Sequence, residues 1–154
     1  MDPSPDVSAI AHQIQLAIAP VFLLAGIGAI LNVLAGRLAR TVDRSRSLAT
    51  EYAGYDEAER GRATTELLLL DRRILAANRA ITCCTASALF VCLVVAVLFI
   101  ARPNEIGFAR SIAGLFIAAM ALLTAGLGFF LHEIRLATRA LRLRRWPHED
   151  GGAL

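Results

Sequence analysis

Three stretches of the chain run for more than twenty residues without a charge, and an amphipathic pattern continues past each of them. The first covers 14–36 (23 residues), the second 80–101 (22 residues) and the third 111–131 (21 residues). A hydrocarbon core about 30 Å thick needs roughly 20 residues of helix at about 1.5 Å each, so every block is long enough to cross. Helix is the only serious option, because in lipid all backbone N–H and C=O groups must be paired within the segment.

The apolar stretches do not mark the helix ends. Leu34, Leu38, Val42, Ser45, Leu48 and Tyr52 recur at steps of three or four, while Arg37, Arg40, Arg44 and Ser47 take another face. The first stop is "AGYDEAERG", 53–61, in which Gly54 and Gly61 bracket an acidic turn. "RATTELLLLDRRILAANRA", 62–80, then leads into the second apolar block with Leu67, Leu70, Ile74 and Ile81 on the repeat and Asp71, Arg72 and Arg73 on the wet side. The third block runs on through "HEIRLATRALRLRRW" to Pro147. This pattern predicts helices over roughly 10–49, 60–100 and 108–145, each about 60 Å long and about twice the bilayer core. The connection "RPNEIGFA" reads as a tight turn. The expected fold is all-α: an integral membrane protein with three long transmembrane helices extending into a cytoplasmic helical bundle. It forms a single membrane domain over 1–154, with a helical hairpin at 37–79 and a basic tail at 132–154.

Charge sets the orientation. Segment 37–79 holds nine arginines and 132–154 holds five, against none in 1–13 and two in 102–110. Basic residues stay on the cytoplasmic side, so the expected arrangement has the N-terminus outside and the C-terminus in the cytoplasm, in a bacterial inner membrane. The N-terminal "MDPSPDVSAIAHQ" lacks the positive start of a secretory signal, and the first span is expected to be retained.

Composition sharpens this reading without changing it. Hydrophobic residues make up 56% of 154, above the roughly 45–50% of a soluble domain, and mean hydropathy is +0.58. All 16 basic residues are arginine, which removes Schiff-base and P-loop lysine chemistry. A pI near 9.1 arises from arginines that flank apolar blocks and alternate with acids. That suits anionic headgroups rather than nucleic acid. Arg135, Arg139 and Arg142 in the tail are the candidate lipid contacts. Cys83, Cys84 and Cys92 all fall in the second block, with no histidine at ligand spacing; ordinary packing is the expectation, with no metal and no cofactor. The chain has no HExxH, no GxSxG, no glycine-rich phosphate loop and no carboxylate pair within a span. It is therefore not expected to be an enzyme.

Polar residues near the arginine-rich ends of the spans form the candidate site. Asn32 lies five residues before Arg37, about 7–8 Å into the apolar layer. Gly28, Asn32 and Gly36 share an i+4 row, with Ala25 and Ala29 close by. Asn32 is read as a hydrogen bond in a close helix contact, with an ion-pathway role as the alternative. Asp43 has Arg40 and Arg44 as neighbours for local ion pairs. Glu133 is the one acid near its membrane exit, where Arg37 and Arg79 leave their own spans. It reads as an interhelical clamp with Arg37 and Arg79, Asn78 being a further partner; the alternative is a set of independently solvated headgroup contacts. Thr82, Thr85 and Ser87 are expected to bond back to carbonyls or across to another helix. Ala118, Ala121, Ala125 and Gly128 make a small-residue stripe continuing into His132, Arg135 and Arg139, read as a helix contact within or between chains.

"APVFLLAGIGAILNVLAGRLARTVDRSR", "ELLLLDRRILAANRAI" and "FFLHEIRLATRAL" resemble a family of small bacterial membrane proteins known as domain of unknown function 2721. The similarity extends from about residue 14 to 143. It implies three spans, and it implies that Asn32, Arg37, Asp43, Arg44, Arg73, Asn78, Arg79, Glu133 and Arg135 fall on the family's recurrent polar positions. It implies no activity. The function expected on all these grounds is a homo-oligomeric scaffold or interaction protein. The alternative is a homo-oligomeric channel or small-solute transporter subunit; a lipid- or pH-responsive sensor using His132 and the tail is a third possibility.

Overall fold

Uninterrupted helix-forming sequence produces three helices that are longer than their apolar blocks. The computed structural model describes the backbone of residues 5–100 and 106–144, and side chains within 11–138 with a few gaps. The elements are α1 (Pro5–Glu51), a single 3₁₀ turn (Tyr52–Gly54), α2 (Glu57–Ile100) and α3 (Ile106–Arg144). Each α-helix contains a stretch long and apolar enough to cross a membrane. This fits a multi-pass membrane protein. The α1 helix continues through Pro20. The expected tight turn after the second span, Trp146 and the stop at Pro147 involve residues outside those described.

The start of α2 differs from expectation by three residues. The helix begins at Glu57 rather than at residue 60, because Asp56 caps it. Asp56 Oδ1 accepts from the Glu59 amide at 2.8 Å and the Asp56 amide donates back to Glu59 Oε2 at 3.1 Å. Two amides at the helix start that lack intrahelical partners are thus satisfied reciprocally.

Burial along the helices follows a seven-residue repeat. In α1 the buried positions on this spacing are Pro20, Ile27, Leu34, Thr41 and Leu48, with Ala17 buried beside them; in α2 they include Ala63, Leu70, Ala77, Cys84 and Val91, flanked by Ala80, Ser87 and Val94. In α3, Ala119, Gly126 and Glu133 keep the same spacing. Seven residues are close to two full turns, so such positions return to one face with a drift of only about 20°.

The chain divides into two units, and the division falls inside all three helices. One unit, Met1–Asn32 with Thr82–Ala125, packs small and β-branched side chains: Cys84, Val91 and Val94 of α2 are almost wholly buried, as are Ile27 and Ala119. Here the Ser87 hydroxyl donates to the Ala119 carbonyl at 2.7 Å, joining α2 to α3. The outer surface of this unit is oily, with Phe22, Leu89, Leu93, Phe99 and Ile117 at least half exposed. A water-facing surface of that kind would be a liability, whereas lipid solvates it.

The other unit, Val33–Ile81 with Gly126–Leu154, is organised by both grease and charge. Leu48, Ala63 and Leu70 form a buried cluster against which Tyr55 and Leu67 pack. At the turn the Tyr55 hydroxyl donates to Glu51 at 2.7 Å, and Ser47 donates to the other oxygen of Glu51 at 3.0 Å. The Tyr52 hydroxyl lies 3.4 Å from that of Thr64.

Candidate functional site

The seven-residue repeat puts a carboxylate where the core expects an apolar side chain. Glu133 follows Ala119 and Gly126 on the buried face of α3 and is only 2% exposed. Moving an ionised carboxylate out of water is costly unless charge and hydrogen bonds replace the solvent. Both replacements are present. Arg37 of α1 reaches Glu133 Oε2 through Nε at 3.1 Å and Nη2 at 3.0 Å. Arg73 of α2 reaches Oε1 through Nε at 3.1 Å and Nη2 at 2.9 Å. Each carboxylate oxygen is therefore held by the side-on edge of one guanidinium, and one acid ties three helices together.

The surroundings keep Arg37 in place. Its guanidinium carbon sits 5.6 Å from the centre of the Phe130 ring, within cation–π range. One turn beyond Arg37 on α1, buried Thr41 turns its hydroxyl back to the Arg37 carbonyl at 3.0 Å. That bond satisfies a hydroxyl at a core position without drawing on the carboxylate.

The sequence placed Arg37 and Arg79 around Glu133; the structure brings Arg37 and Arg73. Arg79 is exposed and makes no ion pair among the described residues. The reason is register. Glu66, Arg73, Ala80, Ser87 and Val94 lie on one seven-residue row of α2, and that row turns inward. Reading Asp71, Arg72 and Arg73 together as a wet side missed this, and counting sevens back from buried Ala80 would have found it. Asn78 is exposed and is hydrogen-bonded or otherwise engaged.

The second expected set also rearranges. Arg44 pairs with Glu66 of α2, through Nε at 3.0 Å and Nη2 at 2.9 Å, rather than with Asp43. Asp43 and Arg40 are exposed and form no ion pair among the described residues. Local i,i+1 and i,i+3 neighbours lose here to a cross-helix partner with better side-on geometry.

Asn32 is exposed, and no hydrogen bond from it to another described residue is found. A Cβ added at Gly28 or Gly36 would meet nothing within 4 Å. The row Gly28–Asn32–Gly36 therefore faces outward. So does most of the α3 stripe: Ala121, Ala125, Gly128, His132 and Arg135 are exposed, and only Ala118 is half-buried. Arg139 and Arg142 have side chains outside the described residues. Cys83, Cys84 and Cys92 are free thiols, half-buried, buried and exposed in turn. Among the described residues no group of histidines, cysteines and acids is placed to hold a metal ion.

The arrangement is a charged tie between three helices. No curated protein and no solved structure matches the chain. A family model does match, over residues 17–143, which includes all but the first three residues of the three apolar stretches and every member of the Glu133 cluster. By that match the chain belongs to the family described as Protein of unknown function (DUF2721).

Proposed function

We propose that the protein works as a homo-oligomeric scaffold or interaction protein in a bacterial inner membrane. The hairpin 37–79 and the tail lie in the cytoplasm as a helical bundle, and the N-terminus lies outside. The arginine count supports the orientation. The assembly reading is carried by one observation: Asn32 and the glycines around it face away from the chain's own helices. Lipid cannot hydrogen-bond a side-chain amide within the apolar layer, while a second copy can, through a close contact lined by small residues. Subunit counting in lipid nanodiscs tests this reading. Two or more copies per particle are expected, and a single copy at every protein-to-lipid ratio would overturn it.

A channel between copies is the second reading, favoured by Asn32, Thr82 and Thr85 all being exposed on the chain's surface. Three spans in one chain enclose too little space for a pore, so this reading also requires several subunits. Ion flux in proteoliposomes that disappears in Asn32→Leu separates it from a scaffold.

A further inference from the structure

We infer that Arg37 and Arg73 form a binding site for one phosphate-type anion, met in the membrane as the headgroup of an anionic phospholipid. The Glu133 cluster is not charge-balanced: two guanidiniums share one carboxylate, and no other acid among the described residues pairs with either arginine. The carboxylate is buried, whereas the two arginine side chains are 30% and 23% exposed. One net positive charge therefore sits partly desolvated yet reachable from outside. Both arginines bind Glu133 through Nε and Nη2. Nη1 lies on the opposite edge of a planar guanidinium, so it points away from that carboxylate in each case. Each arginine thus keeps one donor group that is free of Glu133 and can take a second acceptor, and Arg37 is steadied further by Phe130. Phosphate oxygens match that fork geometry.

The position supplies the phosphate. Arg37 is the first charge after the 14–36 stretch, and Glu133 stands two residues after the 111–131 stretch. Both lie at headgroup depth on the arginine-rich side. Arg73 begins about 10 Å beyond the 80–101 stretch by helical rise and reaches back along its own side chain to the same carboxylate. This site differs from diffuse attraction to the basic tail, because it takes one anion per chain and depends on two named residues.

Native mass spectrometry of the full chain in neutral detergent, titrated with phosphatidylglycerol or phosphatidylcholine, tests the site. The first phosphatidylglycerol is expected to bind about tenfold more tightly than phosphatidylcholine. Arg73→Gln is expected to abolish that preference, while Arg72→Gln, the same charge change on an exposed neighbour, keeps it. Circular dichroism checks the fold of each variant. If Arg73→Gln does not fold, Arg73→Lys takes its place; it keeps the ion pair with Glu133 but lacks the second edge, and is expected to lose most of the preference. Melting in inorganic phosphate against chloride at equal ionic strength distinguishes the source. Stabilisation by phosphate that requires Arg73, without lipid preference, assigns the site to a soluble anion. Equal weakening by Arg72→Gln and Arg73→Gln, or no preference in the parent chain together with no phosphate effect, would overturn the site.

Discussion

Glu133 shows what a single residue can determine in this chain. Its carboxylate is buried and accepts from two helices, so Glu133→Gln removes the charge that both guanidiniums face. Breaking a fully buried ion pair costs about 3–5 kcal/mol; with both arginines partly hydrated, the expected loss is about 2–4 kcal/mol. Glu66→Gln removes the exposed partner of Arg44 and is expected to cost about 0.2–1 kcal/mol. Thermal melting of both variants in one detergent checks the contrast. Tyr55 makes a second residue-scale case, outside the apolar stretches. Its hydrogen bond to the Glu51 carboxylate raises the phenol's pKa above the usual value, since ionising it would set two anions together. The neutral phenol is favoured in the fold, so its contribution is fully present below the unfolded tyrosine pKa of about 10 and is lost as pH rises through the folded value. Ultraviolet titration should find the Tyr55 phenol shifted upward, and Glu51→Gln should return it toward the ordinary range. Glu133 was legible in the sequence because it is an isolated acid beside a long apolar stretch. Arg73 entered as a candidate only through the family resemblance and not as its partner, because charge spacing alone does not reveal which way a helix turns its basic residues.

At the scale of elements, the helices were readable and their contacts were not. Twenty uncharged residues fix a helix by backbone hydrogen bonding alone, and the amphipathic extensions continue α1 to Glu51, carry α2 back to Glu57 and continue α3 to Arg144. The start of α2 shifted because the Asp56–Glu59 box outweighs the helix-weakening effect of Gly61. Small residues were the ambiguous signal: alanines and glycines mark close contacts, and the pattern does not say whether the neighbour is in the same chain. The structure separates two kinds. Ala80 is fully buried on the inward row of α2, so Ala80→Leu is expected to overpack that row and cost about 1–3 kcal/mol. A side chain at Gly28 meets open space. Gly28→Leu is expected to leave the isolated chain as stable or about 0.5–1 kcal/mol more stable, by relieving glycine's helix penalty. Melting in a detergent that keeps the chain monomeric compares the two.

For the whole molecule, the same outward face carries the account of assembly. In lipid the hydrophobic effect does not press helices together, so association rests on close packing and on polar groups that find partners. Within the chain that role is taken by the Ser87–Ala119 bond and the Glu133 tie. In the proposed assembly it would fall, between chains, to Asn32 and the glycines beside it, which face away from the other described residues of the chain. Cysteine crosslinking in intact membranes measures this most directly, with Cys83, Cys84 and Cys92 first replaced by alanine. Asn32→Cys on that background should give a covalent dimer on mild oxidation, and buried Leu34→Cys, two residues away, should not. A monomer at Asn32→Cys under conditions that crosslink a known membrane dimer would contradict the account.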